Sequence, residues 1–198
     1  YCRRFYGVSQ ACATWLLHFH VRAEGVLYNA VDADAIDAAL AAPNCQWRQR
    51  LGLAENAPLV AFVGRLIPEK GVNELLAAFA LLQETLPHVQ LALAGAGPLA
   101  PALANEAPKG VHLLGTVPHA DTLALLAQAD VFCLPTYSEG FSSTILEAAA
   151  AGACIVTTPT GGSPELSADG ESGLLLEDIR PVTIADAMAR CLQNAAFR

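Results

Sequence analysis

From Leu59 onward, the chain alternates short apolar runs with longer segments in which apolar residues recur at every third or fourth position. The runs are LVAFVG from Leu59, VQLALAG from Val89, VHLLG from Val111, VFCLP from Val131, CIVTT from Cys154 and GLLLE from Gly173. This alternation is typical of repeated β-α-β units around a parallel sheet. Because each run is apolar nearly throughout, we expect helices on both faces and a fully buried sheet. The predicted fold class is α/β with a six-stranded parallel sheet.

The spacing of apolar residues predicts helices over residues 72–86, 120–129, 142–151 and 181–193. The earlier part of the chain differs, with a helix-like stretch over 10–20, a short strand within GVLYNAVD and a polar, alanine-rich stretch up to Pro58. We therefore expect residues 1–57 to be the tail of an N-terminal domain plus a hinge or linker, and residues 58–198 to form a C-terminal domain.

Composition and charge narrow the function classes. Hydrophobic residues make up 54% of the 198 residues and charged residues 15%, so the chain can fill a sizeable core. A net charge of −8 argues against a broad basic surface and hence against a nucleic-acid partner, and any phosphate would be bound locally. The longest uncharged stretch, 85–105, is broken by prolines and glycines and does not predict a membrane span. The N-terminus lacks the features of a signal peptide, as a piece from the middle of a longer chain would, so we expect the protein in the cytoplasm.

Cysteine and histidine spacing predicts neither a metal site nor a disulfide framework. The six cysteines are far apart, without a CxxC pair, and the histidines are scattered. Cys133 and Cys154 lie in apolar runs and should be small, reduced core residues. We expect the histidines on surfaces or at strand ends.

The first candidate for chemistry is GRLIPEKG, which follows the first strand of the predicted sheet. Ligands of open α/β sheets bind at the carboxyl ends of strands, where Arg65 and Lys70 could converge on a diphosphate. The alternative interpretation, two solvated side chains of a loop, is equally compatible with this segment taken alone.

The second candidate is SEGFSSTILEAAAAG, which contains Glu139 and, eight positions later, Glu147. Between the two glutamates, residues 140–143 would offer free backbone amides at a helix N-terminus, a natural seat for phosphate oxygens. Thr144 and Glu147 also match a capping box, so a purely structural role for Glu147 stays open.

Two glycine-rich segments have competing interpretations. GAGPLA, from Gly95, matches the G-x-G-x-x-A fingerprint of dinucleotide-binding domains, but the next run ends in Gly115 and Thr116 without the acidic residue that holds a ribose. Its glycines and Pro98 could instead set the packing. TPTGGSPEL, with Gly161 and Gly162, is best explained as a turn before a helix, although its position permits a ligand-facing role.

In this order, the segments resemble the retaining GT-B glycosyltransferases, a family that includes bacterial polysaccharide glycosyltransferases, phosphatidylinositol mannosyltransferases and sucrose synthases. GVSQ and LYNAVD resemble the family's last N-domain elements, GRLIPEKG its phosphate loop, GAGPL and LLGTVP its loops near the nucleotide, and SEGFSSTILEAAAAG its paired-glutamate motif. The resemblance implies a Rossmann-like domain in which Arg65 and Lys70 neutralise the leaving diphosphate, Glu139 contacts the sugar and Glu147 holds the ribose hydroxyls. Arg65, Lys70 and Glu139 would be the catalytic residues.

The resemblance also implies where the rest of the donor lies. The amides of 140–143 would complete the phosphate cradle and the 115–118 loop would lie by the base. The implied donor-binding residues are Gly64, Arg65, Lys70, Gly115, Thr116, Val117, Gly140, Phe141, Ser142, Ser143 and Glu147. Ser142 departs from the family, in which glycine is common at this position, and its side chain could alter sugar or phosphate contacts.

The resulting expectation is transfer of a sugar from a UDP or GDP sugar, with retention at the anomeric carbon and without a metal or other cofactor, in the synthesis of cell-surface glycans. A glycan or lipid-linked acceptor would bind through the N-terminal domain, which would also supply any peripheral contact with the inner face of the membrane. The chain by itself should be inactive. The alternatives are a dehydrogenase-type dinucleotide-binding domain and a non-catalytic module that binds nucleotides or glycans.

Overall fold

The computed structural model describes residues 3–41, 46–166 and 172–194. The strands of this part of the chain are β1 (Tyr6–Gly7), β2 (Gly25–Val26), β3 (Leu59–Val63), β4 (Gln90–Ala94), β5 (Val111–Gly115), β6 (Val131–Leu134), β7 (Cys154–Thr157) and β8 (Gly173–Leu175). Its helices are α1 (Gln10–Trp15), α2 (Ala33–Ala41), α3 (Trp47–Arg50), α4 (Val72–Thr85), α5 (Ala100–Glu106), α6 (His119–Gln128), α7 (Ser143–Ala150), α8 (Ser163–Leu166) and α9 (Pro181–Gln193). Short 3₁₀ helices cover Leu16–Phe19 and Pro68–Lys70.

The six apolar runs form one sheet in the order β5-β4-β3-β6-β7-β8, and every neighbouring pair is parallel. The predicted α/β class, six-stranded parallel sheet and four main helices are therefore confirmed. From β3, the chain adds β4 and β5 on one side of the sheet and then β6, β7 and β8 on the other side. This reversal opens a crevice between the carboxyl ends of β3 and β6, where open α/β sheets bind ligands.

Alternate residues of the central strands enter two separate cores, one on each face of the sheet. Val60 and Phe62 of β3 pack in the core that α4 and α9 cover. Leu59 and Ala61 face the other core, which contains α6 and the buried Trp47. This two-sided burial explains why the central runs are apolar throughout.

The expectation of a fully buried sheet is wrong for β5. Its residues Val111 to Leu114 are only half-buried and Gly115 is exposed. This strand lies at one edge of the sheet, with a strand neighbour on one side only, whereas Gly173 and Leu174 of the other edge strand, β8, are buried. The half-buried His112 donates to or accepts from Gln90 on the neighbouring strand, 2.9 Å away, and burial lowers the pKa of this histidine.

The segment before β3 is more structured than the sequence pattern predicted. The helix expected over 10–20 ends at Trp15 and continues as a 3₁₀ turn that His20 closes in a left-handed conformation. The strand expected in GVLYNAVD shortens to β2, which pairs in parallel with β1. The stretch expected as a linker contains α2 and α3, which pack on α6.

Arg48 fixes this linker segment to the amino end of the sheet. Its guanidinium lies 3.0 Å from Asp130 and also donates to the carbonyl of Gln128, while Asp130 accepts the amide of Leu59. The division into domains at residues 57 and 58 stays a prediction. In the ranges that the structure describes, no helix is both long and apolar enough to cross a membrane.

Candidate functional site

The carboxyl ends of the parallel strands meet along one edge of the sheet, so the loops that follow β3, β4, β5, β6 and β7 share that edge. The predicted site residues lie at the ends of these strands, in these loops or at the start of the helices behind them, except Glu147, which lies one turn inside α7. The topology of the sheet therefore brings these loops to one edge, as predicted. Their chemical roles stay predictions.

The loops after β3 and β6 are joined by backbone contacts. Gly71 has φ +68°, and a Cβ there would overlap the carbonyl oxygen of Pro135, so only glycine permits this approach. The Glu69 carbonyl accepts the amide of Tyr137 at 2.9 Å and the hydroxyl of Thr136 at 3.1 Å. These bonds hold the two loops edge to edge at the switch point of the sheet.

This junction brings Lys70 and Glu139 together. The Lys70 Nζ donates to Glu139 Oε2 at 2.5 Å, and only 18% and 17% of the two side chains is exposed. Partial burial weakens screening, so each charge strongly orients the other. The two residues are 69 positions apart in the sequence. Their contact places the predicted phosphate-binding cation beside the predicted sugar-binding carboxylate.

The segment 140–143 leads into α7 and presents its amides at the same edge. Ser142 is the N-cap, since its hydroxyl accepts from the Ile145 amide at 3.4 Å. Within the described ranges, no protein acceptor takes the amides of Gly140, Phe141, Ser142 or Ser143. These donors, together with the helix dipole, favour an anion in front of α7.

Two features of this segment were not foreseen. The Ser142 hydroxyl is used by the helix cap, so the residue that departs from the family pattern turns its side chain toward its own helix. The Phe141 ring is buried and packs 5.2 Å from the ring of Tyr28, so only its backbone is offered to a ligand.

Asn29 donates to the Phe141 carbonyl at 2.9 Å and so ties the hinge segment to this loop.

The capping-box interpretation of Glu147 is wrong. Thr144 is the second residue of α7 rather than its cap, and Glu147 lies a full turn inside the helix. Its Oε1 instead lies 2.9 Å from Nε2 of His119, the first residue of α6. The carboxylate side chain is 16% exposed and the imidazole 65%. His119 was among the histidines dismissed as scattered, and its only sequence signal is its position after the LLGTVP loop.

Arg65 lines a cavity of about 390 Å³ at the carboxyl ends of β3, β4 and β5. The cavity walls include the following predicted and neighbouring residues: Gly64, Arg65, Gly95, Ala96, Thr116, Val117 and Thr122. Arg65 is exposed, and no carboxylate of the described residues pairs with it. Gly115, which precedes Thr116, has φ +66°, and a Cβ built on it would meet no atom within 4 Å.

The glycines of GAGPLA have a packing explanation. Gly95 has φ +145°, and a Cβ there would overlap the carbonyl oxygen of Gly64. A Cβ on Gly97 would collide with the backbone of Leu66. Leu66 donates its amide to the Ala96 carbonyl at 2.9 Å, which seals the β3 and β4 loops together. The fingerprint spacing therefore follows from the close approach of two loops and does not require a dinucleotide.

The glycine pair in TPTGGSPEL supports the Glu139 loop from behind. Gly161 has φ +55°, and a Cβ there would overlap the carbonyl oxygens of Glu139 and Gly140. The Gly162 amide donates to the Gly140 carbonyl at 2.8 Å. The turn explanation is therefore supported, and the turn also fixes the position of Glu139.

Glu165 joins this turn to the N-terminal segment. Its carboxylate accepts the amide of Gln10 at 3.0 Å and the hydroxyl of Tyr28 at 2.8 Å. Although desolvation by the neighbouring atoms opposes ionisation, the bonds from Gln10, Tyr28 and Ala11 lower the pKa of the exposed Glu165 overall. The hydrogen bond that the Tyr28 hydroxyl donates to Glu165 raises the pKa of Tyr28. Beside this junction lies a cavity of about 380 Å³ between α1 and Glu139, with Cys12 and Trp15 among its walls.

The remaining groups lie away from this edge. Cys133 and Cys154 are buried, as predicted, and burial raises the pKa of the Cys133 thiol. The described residues include no group of three histidine, cysteine or acidic side chains that could hold a metal. An apolar cavity of about 600 Å³ lies at the amino end of the sheet, and its lining has no acidic, lysine or arginine side chain. We assign the candidate site to the smaller cavities, because they contain the ionic groups and free amides.

The chain is similar in sequence to several known proteins. D-inositol 3-phosphate glycosyltransferase of Corynebacterium efficiens is 35% identical over 162 residues, which cover 76% of this chain and 38% of the relative. Glycogen synthase of Mycobacterium tuberculosis is 37% identical over 177 residues, covering 87% of this chain and 42% of the relative. This chain thus spans about two fifths of the length of these relatives.

Solved structures show the same fold. The crystal structure of Anabaena HepE in complex with UDP-glucose superposes with a TM-score of 0.83 at 26% identity, covering 98% of this chain and 55% of that one. The C-terminal domain of a group 1 family glycosyl transferase from Francisella tularensis, LpcC, superposes with a TM-score of 0.67 at 21% identity, covering 85% of this chain and 90% of that one. The family model described as "Glycosyl transferases group 1" matches residues 44–198. From the fold, the order of its motifs and this match, the chain is a member of the group 1 glycosyl transferase family, with the α/β architecture of the GT-B enzymes.

Proposed function

We propose that this chain binds the nucleoside-diphosphate sugar donor of a retaining glycosyltransferase. The observation that carries the proposal is the contact of Lys70 with Glu139 in front of the free amides of 140–143. A cation, a row of amides and a carboxylate are what a leaving diphosphate and the adjacent sugar require. The complex of HepE with UDP-glucose, a structural relative at 26% identity, supports a nucleotide sugar as the ligand class.

In the proposed pose, Lys70 and Arg65 neutralise the diphosphate while Glu139 contacts the sugar. An ammonium has three donor positions, so Lys70 can keep its bond to Glu139 and still donate to phosphate oxygens. The cavity between Glu139 and α1 would receive the sugar. The cavity lined by Arg65, Thr116 and Val117 would receive the nucleoside, with Glu147 on the ribose hydroxyls.

Bond cleavage between the sugar and the diphosphate leaves negative charge on the β-phosphate and positive character on the anomeric carbon. Fixed cations and amides stabilise the first without having to reorganise during the reaction. They supply this without a divalent ion, so we propose metal-independent transfer. The carboxylate of Glu139, held by Lys70, would orient the sugar so that the acceptor attacks with retention.

The acceptor, a glycan or a lipid-linked sugar of the cell surface, is proposed to bind to a domain that precedes residue 58 in the complete enzyme. This domain would also make any contact with the inner face of the membrane, and the enzyme would act in the cytoplasm. Because orientation and water exclusion depend on both sides of a cleft, the chain alone should bind the donor yet transfer little.

Calorimetric titration of the chain with UDP, GDP, ADP and NAD tests the ligand class. We expect one nucleoside diphosphate to bind with unchanged affinity after EDTA is added, and NAD to give no heat. Binding of NAD alone would favour the dehydrogenase alternative. Failure of every nucleoside diphosphate to bind would overturn the proposal, whereas donor binding by a complete enzyme that neither transfers nor hydrolyses the sugar would identify a non-catalytic module.

A further inference from the structure

We infer that His119 is a positioning residue that fixes the carboxylate of Glu147 for recognition of the ribose. The inference rests on the proposed function, which assigns the ribose hydroxyls to Glu147. It adds a residue that lies outside the paired-glutamate motif. The class of ligand read by this pair is a nucleotide with free hydroxyl groups on its sugar.

The geometry gives each atom of the pair a distinct place. His119 Nε2 lies 2.9 Å from Glu147 Oε1, and no donor among the described residues contacts the second oxygen, Oε2. A glutamate with one oxygen held has fewer rotamers, and its other oxygen can accept from a ribose hydroxyl without first being ordered. Because this oxygen accepts and cannot donate, it favours a nucleotide whose sugar retains its hydroxyl groups.

The location of His119 connects this pair to the nucleoside cavity. His119 begins α6 immediately after the loop that contains Thr116 and Val117, two residues that line the cavity beside Arg65. Its imidazole is 65% exposed, so the ring is open to a ligand that approaches from this loop. Glu147 approaches His119 from α7, and only 16% of its side chain is exposed.

A merely structural role is a poor explanation of the contact. The helices α6 and α7 already contact each other, and the buried Leu126 of α6 and Ile145 of α7 belong to the same hydrophobic core. An ion pair with one exposed partner typically contributes about 0–1 kcal/mol to stability. Loss of the imidazole should therefore leave the fold intact while releasing the Glu147 carboxylate.

The test compares affinities for UDP and 2′,3′-dideoxy-UDP, and for GDP and its dideoxy counterpart, in calorimetric titrations of the chain. We expect the unsubstituted chain to bind its preferred ribonucleotide about tenfold or more tightly than the dideoxy form, as for hydrogen bonds to a charged group. His119→Ala should reduce this ratio to about threefold or less. His119→Gln, which retains a donor for Glu147, should restore most of the ratio.

His88→Ala is the matched control, because His88 lines the apolar cavity at the opposite end of the sheet. This variant should keep the discrimination of the unsubstituted chain, and thermal unfolding should show that all variants stay folded. An unchanged ratio in His119→Ala, with ribonucleotide binding intact, would overturn the inference alone. If neither UDP nor GDP binds, the same comparison is made with ADP and its dideoxy form, and failure of all three to bind to the unsubstituted chain would overturn the inference together with the proposed function.

Discussion

Two loops on the binding edge contain glycines that have different physical roles. In the loop after β4, the glycines at 95 and 97 exist because other backbone atoms occupy the space of a side chain. In the loop after β6, a Cβ on Gly140 would meet only side-chain atoms at 3.5 and 3.7 Å, and the neighbouring amides have no acceptor among the described residues. A glycine pattern therefore predicts a ligand only where the space beside it is open.

The largest expected effect is on turnover, and it follows from a substitution in the loop after β6. In the complete enzyme, Glu139→Gln should lower turnover about a hundredfold to a thousandfold, in the range for loss of one preorganised electrostatic group. Affinity for the nucleoside diphosphate should change much less, because the proposed partner of Glu139 is the sugar. Donor-turnover assays and titrations measure the two quantities.

Glu106→Gln, at the end of α5 behind the β4 loop, is the control and should retain normal turnover. Near-normal turnover in Glu139→Gln would show that the sugar-contacting residue has been assigned wrongly.

The next effect distinguishes the loops by stability. Gly95→Ala should lower the free energy of unfolding by about 3 kcal/mol or more, because the new methyl overlaps a fixed carbonyl and the backbone conformation is strained. Gly140→Ala should change it by about 1 kcal/mol or less, since its surroundings are at ordinary contact distance. Urea denaturation of both variants measures this difference. Equal losses would contradict the contrast between the loops.

Lys70→Ala should weaken binding of the preferred nucleoside diphosphate by about tenfold or more, the value expected for charge-assisted bonds to phosphate. Lys109 is the other lysine in the sequence and lies next to Gly110 before β5, so Lys109→Ala is the matched control. Calorimetry should show normal affinity for this control. Unchanged affinity in Lys70→Ala would show that the diphosphate does not bind at the loop after β3.

The smallest expected effect concerns Glu165, which joins the turn behind the Glu139 loop to α1. Its pKa is lower in the folded chain than the ordinary glutamate value, so its contribution to stability is present above that value and is lost as the pH falls through the folded pKa. Glu165→Gln should therefore destabilise the chain slightly at neutral pH, and the difference should vanish in acid.

Urea denaturation from pH 7 down to about pH 3 follows the difference through the range in which glutamates titrate. A difference that stays constant over this range would show that the ionised carboxylate does not act as a clamp. Tyr28→Phe removes one of its donors and should give a smaller change of the same sign.

The fold could be predicted from the sequence where burial dictates composition. The six central and edge strands were found because a sheet covered on both faces selects apolar runs, and Lys70 and Glu139 were selected because they follow such runs. The bond between them could not be derived, since it depends on the approach of Gly71 to Pro135 from a distant part of the chain.

Local patterns failed where tertiary contacts replaced them. Thr144 and Glu147 have the spacing of a capping box, yet Ser142 caps the helix and the carboxylate of Glu147 is hydrogen-bonded to His119. Likewise, alanine-rich residues before Pro58 carry little pattern, although Trp47 packs into the core with its indole donating to the Asp121 carbonyl at 2.7 Å. A single buried aromatic residue in a polar stretch gave only a weak signal of this docking.

Amide chemical shifts of the ¹⁵N-labelled chain, followed during titration with its preferred nucleoside diphosphate, show whether the diphosphate lies in front of the loop after β6. We expect the largest shifts at Gly140, Phe141 and Ser143, with further shifts at Lys70 and Thr116. Shifts confined to residues 95–100, with the amides of 140–143 unmoved at saturation, would contradict this placement and return the site to the fingerprint loop.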